Sequence, residues 1–129
     1  MIEQVSTSDA PQPAGHYAQA IIHDGVVYVS GQLPVDPETG DALADASVEE
    51  QALQALKNVA GILEAAGSDI QRVLKTTVYV SDIALWDRVN AVYAEFFGSH
   101  RPARAVVPTT GLHHGLRVEI EAVAVVVQD

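Results

Sequence analysis

The chain has 129 residues, seven Lys plus Arg against seventeen Asp plus Glu, a formal net charge of -10 and no cysteine. A length of this order reads as a single domain over residues 1–129, long enough to bury roughly two-thirds of the surface its unfolded chain exposes. The acidic balance argues against nucleic acid as a partner, and the missing cysteines exclude thiol nucleophiles, Cys-ligated zinc and iron–sulfur clusters.

The N-terminus, MIEQVSTSDAPQP, has neither a basic start nor an apolar run. No window approaches the roughly 18 apolar residues of a membrane span, so the expectation is a soluble cytoplasmic protein with no membrane partner. Residues 1–15 are polar and punctuated by Pro11, Pro13 and Gly15, and read as an extended lead-in. Residues 17–23 and 26–30 are short apolar runs split by Asp24-Gly25, a strong signal for a two-residue hairpin turn. Ser30-Gly31-Gln32 ends the second run. Gly31 marks either a bulge or a place where a ligand or another backbone comes close. Residues 34–45, with Asp36-Pro37 and Thr39-Gly40, form a surface loop.

Ser47 with Glu50 three positions on is a candidate capping box, and Gly67 a helix-terminating residue. Between them Ala52, Ala55, Leu56, Val59, Leu63 and Ala66 recur at helical spacing, opposite Glu49, Gln54, Lys57, Asn58, Gly61 and Glu64. Residues 72–80 alternate, with Leu74, Thr76, Val78 and Val80 on one side and Val73, Lys75, Thr77 and Tyr79 on the other. Asp82 caps a second helix that ends near Gly98. Leu85, Trp86, Val89, Val92, Tyr93 and Phe96 make its buried stripe, and Asn90 sits on the shoulder of that stripe as a solvated residue.

Residues 103–107 and 116–127 read as the last two strands. In the second, Leu116, Val118, Ile120, Ala122, Ala124 and Val126 share an apolar face. The other face starts charged at Arg117, Glu119 and Glu121 and ends in Val123, Val125 and Val127. A strand facing only water has no reason to change character in this way, so a second cover from another subunit is expected. The order β-β-α-β-α-β-β gives an α+β, two-layer sandwich: a mixed sheet with two helices on one face.

Arg104 opens a strand two residues after Pro102. It is either an edge arginine, in water or paired with Glu119 or Glu121, or a fork for a substrate carboxylate. Glu119 follows fifteen positions later, far enough for the two strands to be neighbours. Burial among valines would raise its pKa and a nearby arginine would lower it, so both directions stay open. Adjacent His113 and His114 would point to opposite faces of a strand, which disfavours a metal site. The sequence carries no nucleophile elbow and no phosphate-binding glycine loop, and nothing in it requires a cofactor.

The motifs Gly15-x-Tyr17-x-Gln19, Ser30-Gly31-Gln32, Val89-Asn90-Ala91 with Tyr93, Arg101-Pro102-Ala103-Arg104 and Glu119-Ile120-Glu121-Ala122 occur in this order over nearly the whole chain. In this arrangement the chain resembles the reactive-intermediate deaminase family, also called the YjgF/YER057c/UK114 family. The resemblance implies a chorismate-mutase-like fold and a homotrimer with pockets at inter-subunit clefts. It implies hydrolysis of 2-imino acids, tautomers of enamines such as 2-aminoacrylate, to 2-oxo acids and ammonia. By the same resemblance Arg104 and Glu119 are the catalytic pair, and Tyr17, Ser30, Gly31 and Asn90 join Arg104 in binding substrate. The chain departs from the pattern at His16 and in the His113-His114-Gly115 loop, where proline is common, and at Val106, where some members carry cysteine. The competing readings are a non-catalytic module that senses small carboxylates, and an endoribonuclease or translation inhibitor.

Overall fold

In the computed structural model, which describes residues 1–127, the strands are β1 Glu3–Val5, β2 Ala20–His23, β3 Val26–Gln32, β4 Val73–Val80, β5 Ala103–Pro108 and β6 Val118–Val125. They form one sheet in the order β1-β2-β3-β6-β4-β5. Helix α1 spans Val48–Ala65 and α2 spans Trp86–Phe97. Strands β4 and β5 are parallel, because the chain between them crosses over through α2. The other pairings are antiparallel. The architecture is the expected mixed-sheet α+β sandwich, YjgF-like and chorismate-mutase-like in topology.

Its hairpin turns where Asp24 and Gly25 both take positive φ, 50° and 75°, the conformation that Asp-Gly tolerates and most residue pairs do not. Helix α1 starts at Ser47, whose side chain accepts from the Glu50 N–H at 3.1 Å. It stops at Gly67, with φ 82° and its N–H bonded to the Glu64 carbonyl. The apolar face of β6 closes on the helices, with Val118, Ile120 and Ala124 fully buried against Val48, Ala52, Ala55, Leu56 and Ile62 of α1. Alanine on the helix lets the two layers approach closely.

Six local expectations change. The lead-in contains a strand, β1, whose Val5 is buried. Buried Gln19 ties the following segment down by donating to the carbonyls of Thr7 and Pro11. A three-residue strand of mostly polar residues carries too little periodicity to be seen in sequence.

In β4 the ladder slips between Val73 and Lys75. This bulge puts Val73 into the core at 1% exposure and leaves Leu74 49% exposed, the reverse of simple alternation. Asp82 caps a short 3₁₀ turn, Ile83–Leu85, rather than α2 itself. Trp86, assigned to the core stripe, is exposed, and Phe97, outside that expected stripe, is buried.

On α1, Asn58 is fully buried instead of solvated. It donates to the Leu33 and Val35 carbonyls at 3.1 and 2.9 Å, and Gln54 donates to its Oδ1. Loop carbonyls brought under the helix need donors, and a buried asparagine supplies them. Gly61 also has a tertiary role. A Cβ there would stand 2.7 Å from the Asp9 carbonyl oxygen, so the lead-in lies against bare helix backbone.

Candidate active site

Two clusters of candidate side chains form on opposite faces of the sheet. The first surrounds Arg104 on edge strand β5. Arg104 lies beside Thr76 of β4, and Thr76 is buried and shares a 2.7 Å hydrogen bond with the Tyr93 hydroxyl. The arginine is therefore on the helix side. Its Nη1 donates to Asn90 Oδ1 at 2.9 Å, and its Cζ lies 4.7 Å from the centroid of the Tyr93 ring and 5.5 Å from that of Trp86. Residues 86, 90 and 93 are spaced four and three apart, so one face of α2 presents all three.

Ring faces attract a guanidinium electrostatically and fix its plane, and the Asn90 bond fixes its rotation. Burial pushes the Tyr93 hydroxyl above its ordinary pKa, with Thr76 and Arg104 opposing, so this ring stays neutral beside the cation. Among the described residues no carboxylate pairs with Arg104; the ion pairs are His23 with Asp24, Arg72 with Asp69, and Arg88 with Glu49. The expected alternative of an arginine neutralised by Glu119 or Glu121 is not what forms.

The second cluster surrounds Glu119, which lies across from Tyr79 on β6 and β4. Strands β5 and β6, which their separation in sequence allowed to be neighbours, are not adjacent, because β4 pairs with both and runs between them. Burial is the main cause that raises the Glu119 pKa, the charge of Glu121 adds to it, and His113 opposes both. The group that opposes burial at this carboxylate is thus His113 rather than Arg104, and the net direction left open by the sequence is upward. Glu121 accepts from the Tyr79 hydroxyl at 2.9 Å.

Gly31 makes room for the carboxylate. A Cβ at that position would be 2.6 Å from Glu119 Oε2, and the β3–β6 ladder is irregular between Val29 and Gln32. The bulge expected as one alternative is present, and the close approach is made by the Glu119 side chain rather than by another backbone.

Gly31 opens onto a cleft of about 570 Å³ that Tyr17, Leu33, Val35, His113 and His114 also line. Tyr17 is half exposed. Ser30 is close by, but its hydroxyl donates to the Ala18 carbonyl at 2.7 Å, which fixes the segment carrying Tyr17. No group of three or more His, Asp or Glu among the described residues is placed to hold a metal ion.

The six expected site residues therefore divide. Asn90 joins Arg104, while Tyr17, Ser30 and Gly31 gather near Glu119. Trp86 and Tyr93, read in sequence as core, are the additional residues of the arginine cradle. Their spacing with Asn90 was the available signal.

The fold defines a YjgF-like α+β protein, and comparison with known proteins narrows the class. The family described as Endoribonuclease L-PSP matches residues 7–126. The human 2-iminobutanoate/2-iminopropanoate deaminase is 46% identical over 94% of this chain and 88% of its own length. The RutC family protein y4sK of Sinorhizobium fredii is 47% identical over 95% of this chain and 97% of its own. The crystal structure of E. coli TdcF with bound serine superposes with a TM-score of 0.90 at 36% identity, covering 95% of this chain and 98% of TdcF. The chain belongs to the Endoribonuclease L-PSP family, the YjgF/YER057c/UK114 group of its sequence motifs.

Proposed function

We propose that this protein hydrolyses 2-imino acids, such as the 2-iminopropanoate derived from 2-aminoacrylate, to 2-oxo acids and ammonia. Its single domain, residues 1–129, works as a homotrimer in which the Arg104 cluster of one subunit faces the Glu119 cluster of the next across a cleft. The observation that carries this reading is the guanidinium of Arg104, held by Asn90 and two aromatic rings and, among the described residues, left without a carboxylate partner. An arginine fixed in this way is prepared for an external carboxylate, which it grips through two parallel N–H bonds. The name of the human relative and the serine held by TdcF point to ligands of this size and charge.

Arg104 anchors the substrate carboxylate and so places the C=N carbon against a water molecule. Ionised Glu119 takes a proton from that water as its oxygen bonds to carbon and passes it to the imine nitrogen, which gives the tetrahedral carbinolamine. Glu119 then takes the carbinolamine hydroxyl proton and delivers it to the nitrogen as the C–N bond breaks, so that ammonia leaves and the carbonyl forms. Burial holds the Glu119 pKa above the ordinary carboxylate range, nearer the value at which one group both accepts and donates. Tyr17 covers the substrate side chain. Imines of this kind also hydrolyse unaided, so a modest rate factor is enough.

The test couples the protein to an amino-acid dehydratase and follows ammonia release, with the mass in solution measured in parallel. Wild type accelerates release as a trimer, and Arg104→Ala remains folded and loses the acceleration. An Arg104→Ala variant with full activity rejects the assignment. Binding of 2-oxo acids without turnover would instead favour the carboxylate-sensing module.

A further inference from the structure

Residues His113 and His114 fill no structural need that the fold explains. They form a 3₁₀ turn, His113–Gly115, just before β6. His114 takes φ 60° and ψ 20°, a left-handed conformation that is costly for a residue with a Cβ. The two rings lie parallel, with centroids 4.1 Å apart and 5° between their planes. Both residues are exposed, with no hydrogen bond from either ring among the described residues, and both line the cleft with Tyr17 and Gly31.

In a single chain, before the second subunit of the proposed trimer closes on it, the cleft measures about 570 Å³, room for more than the methyl group that 2-iminopropanoate extends from its reacting carbon. The walls are mixed: Gln32, Asp36 and Asp41 are polar, Leu33 and Val35 are apolar, and the phenol of Tyr17 and the stacked imidazoles supply flat ring surface. That ring surface rewards a flat side chain through offset ring stacking.

Resting on the deaminase reading, we infer that His113 and His114 form the wall of a side-chain subsite that selects 2-imino acids with aromatic side chains over those ending in methyl or ethyl. The strained turn presents the paired rings as a single platform. A methyl side chain leaves that platform in water, while a phenyl or indole side chain covers it. The reaction that supplies the substrate is then an oxidation or dehydrogenation at the amino-bearing carbon of aromatic amino acids, which yields such imines directly.

The test generates imines in place with an amino-acid oxidase acting on alanine, leucine and phenylalanine, and compares kcat/KM for their hydrolysis. His114→Gly removes one ring and keeps the left-handed backbone, and His113→Ala removes the other. His113→Phe keeps a flat ring without the ring nitrogens. The wild type is expected to favour the phenylalanine-derived imine, the double variant H113A/H114G to lose about fivefold of that preference, and His113→Phe to keep it. Turnover of all three imines with the ratio unmoved in the double variant overturns this inference alone. Turnover of none overturns the deaminase reading and this inference with it.

Discussion

Arg104 and Glu119 stand on opposite faces of one sheet and two strands apart, the first beside buried Thr76 and the second across from Tyr79. No side-chain rotation brings them together within one chain, so a site using both must be completed by a second copy. The uncovered sheet face has the composition for such a contact, with Tyr28, Leu74 and Val125 exposed on it or at its margin, where a lone chain would leave apolar area in water.

Mixed assemblies test this arrangement. Arg104→Ala and Glu119→Gln are each expected to be inactive alone. Co-expressed in equal amounts they regain about a quarter of wild-type activity, because random assembly gives one cleft in about four both intact groups. Ammonia release from purified mixed oligomers is the readout. A mixture as inactive as its parents means that each site lies within one chain.

The raised pKa of Glu119 has a consequence for stability. A carboxyl whose folded pKa exceeds its unfolded value favours the protonated folded state. Its contribution is fully present below the unfolded pKa and is lost as pH rises through the folded one. Glu119→Gln removes that liability, so its Tm should exceed wild type at pH 7.5 and the gap should close near pH 4. In activity the same variant loses about 10²–10⁴-fold in kcat.

Gly31→Ala separates stability from chemistry. The new methyl group would meet Glu119 Oε2 at 2.6 Å, the end of a movable side chain rather than backbone. The fold is expected to survive with a small change in Tm, while displacement of the carboxylate lowers kcat/KM by about 10²-fold. Circular dichroism melts with steady-state ammonia release check both parts. An unchanged rate would remove Glu119 from the reaction.

Asn58→Ala acts through the cleft wall. Truncation deprives the Leu33 and Val35 carbonyls of their donor, at a cost of about 2 kcal/mol in urea unfolding. Because both residues line the cleft, KM is expected to rise more than kcat falls.

Much of this protein was legible along the chain. Asp24-Gly25, Ser47 and Gly67 set the ends of elements through local conformation, and the apolar alternation of Val118, Ile120, Ala122 and Ala124 set the core face of β6. These signals act over a few residues, so sequence alone determined the α+β order, the two helices and the candidacy of Arg104 and Glu119. Strand order, the bulge at Leu74 and the burial of Asn58 depend on which segments meet across long separations, and no local propensity encodes that. Tertiary structure alone placed β4 between the strands of Arg104 and Glu119, gave Trp86 and Tyr93 to the guanidinium, and set His113 against the carboxylate. Charged groups acquire partners only when strands acquire neighbours, which is why the residue types of the site could be read and its division into two halves could not.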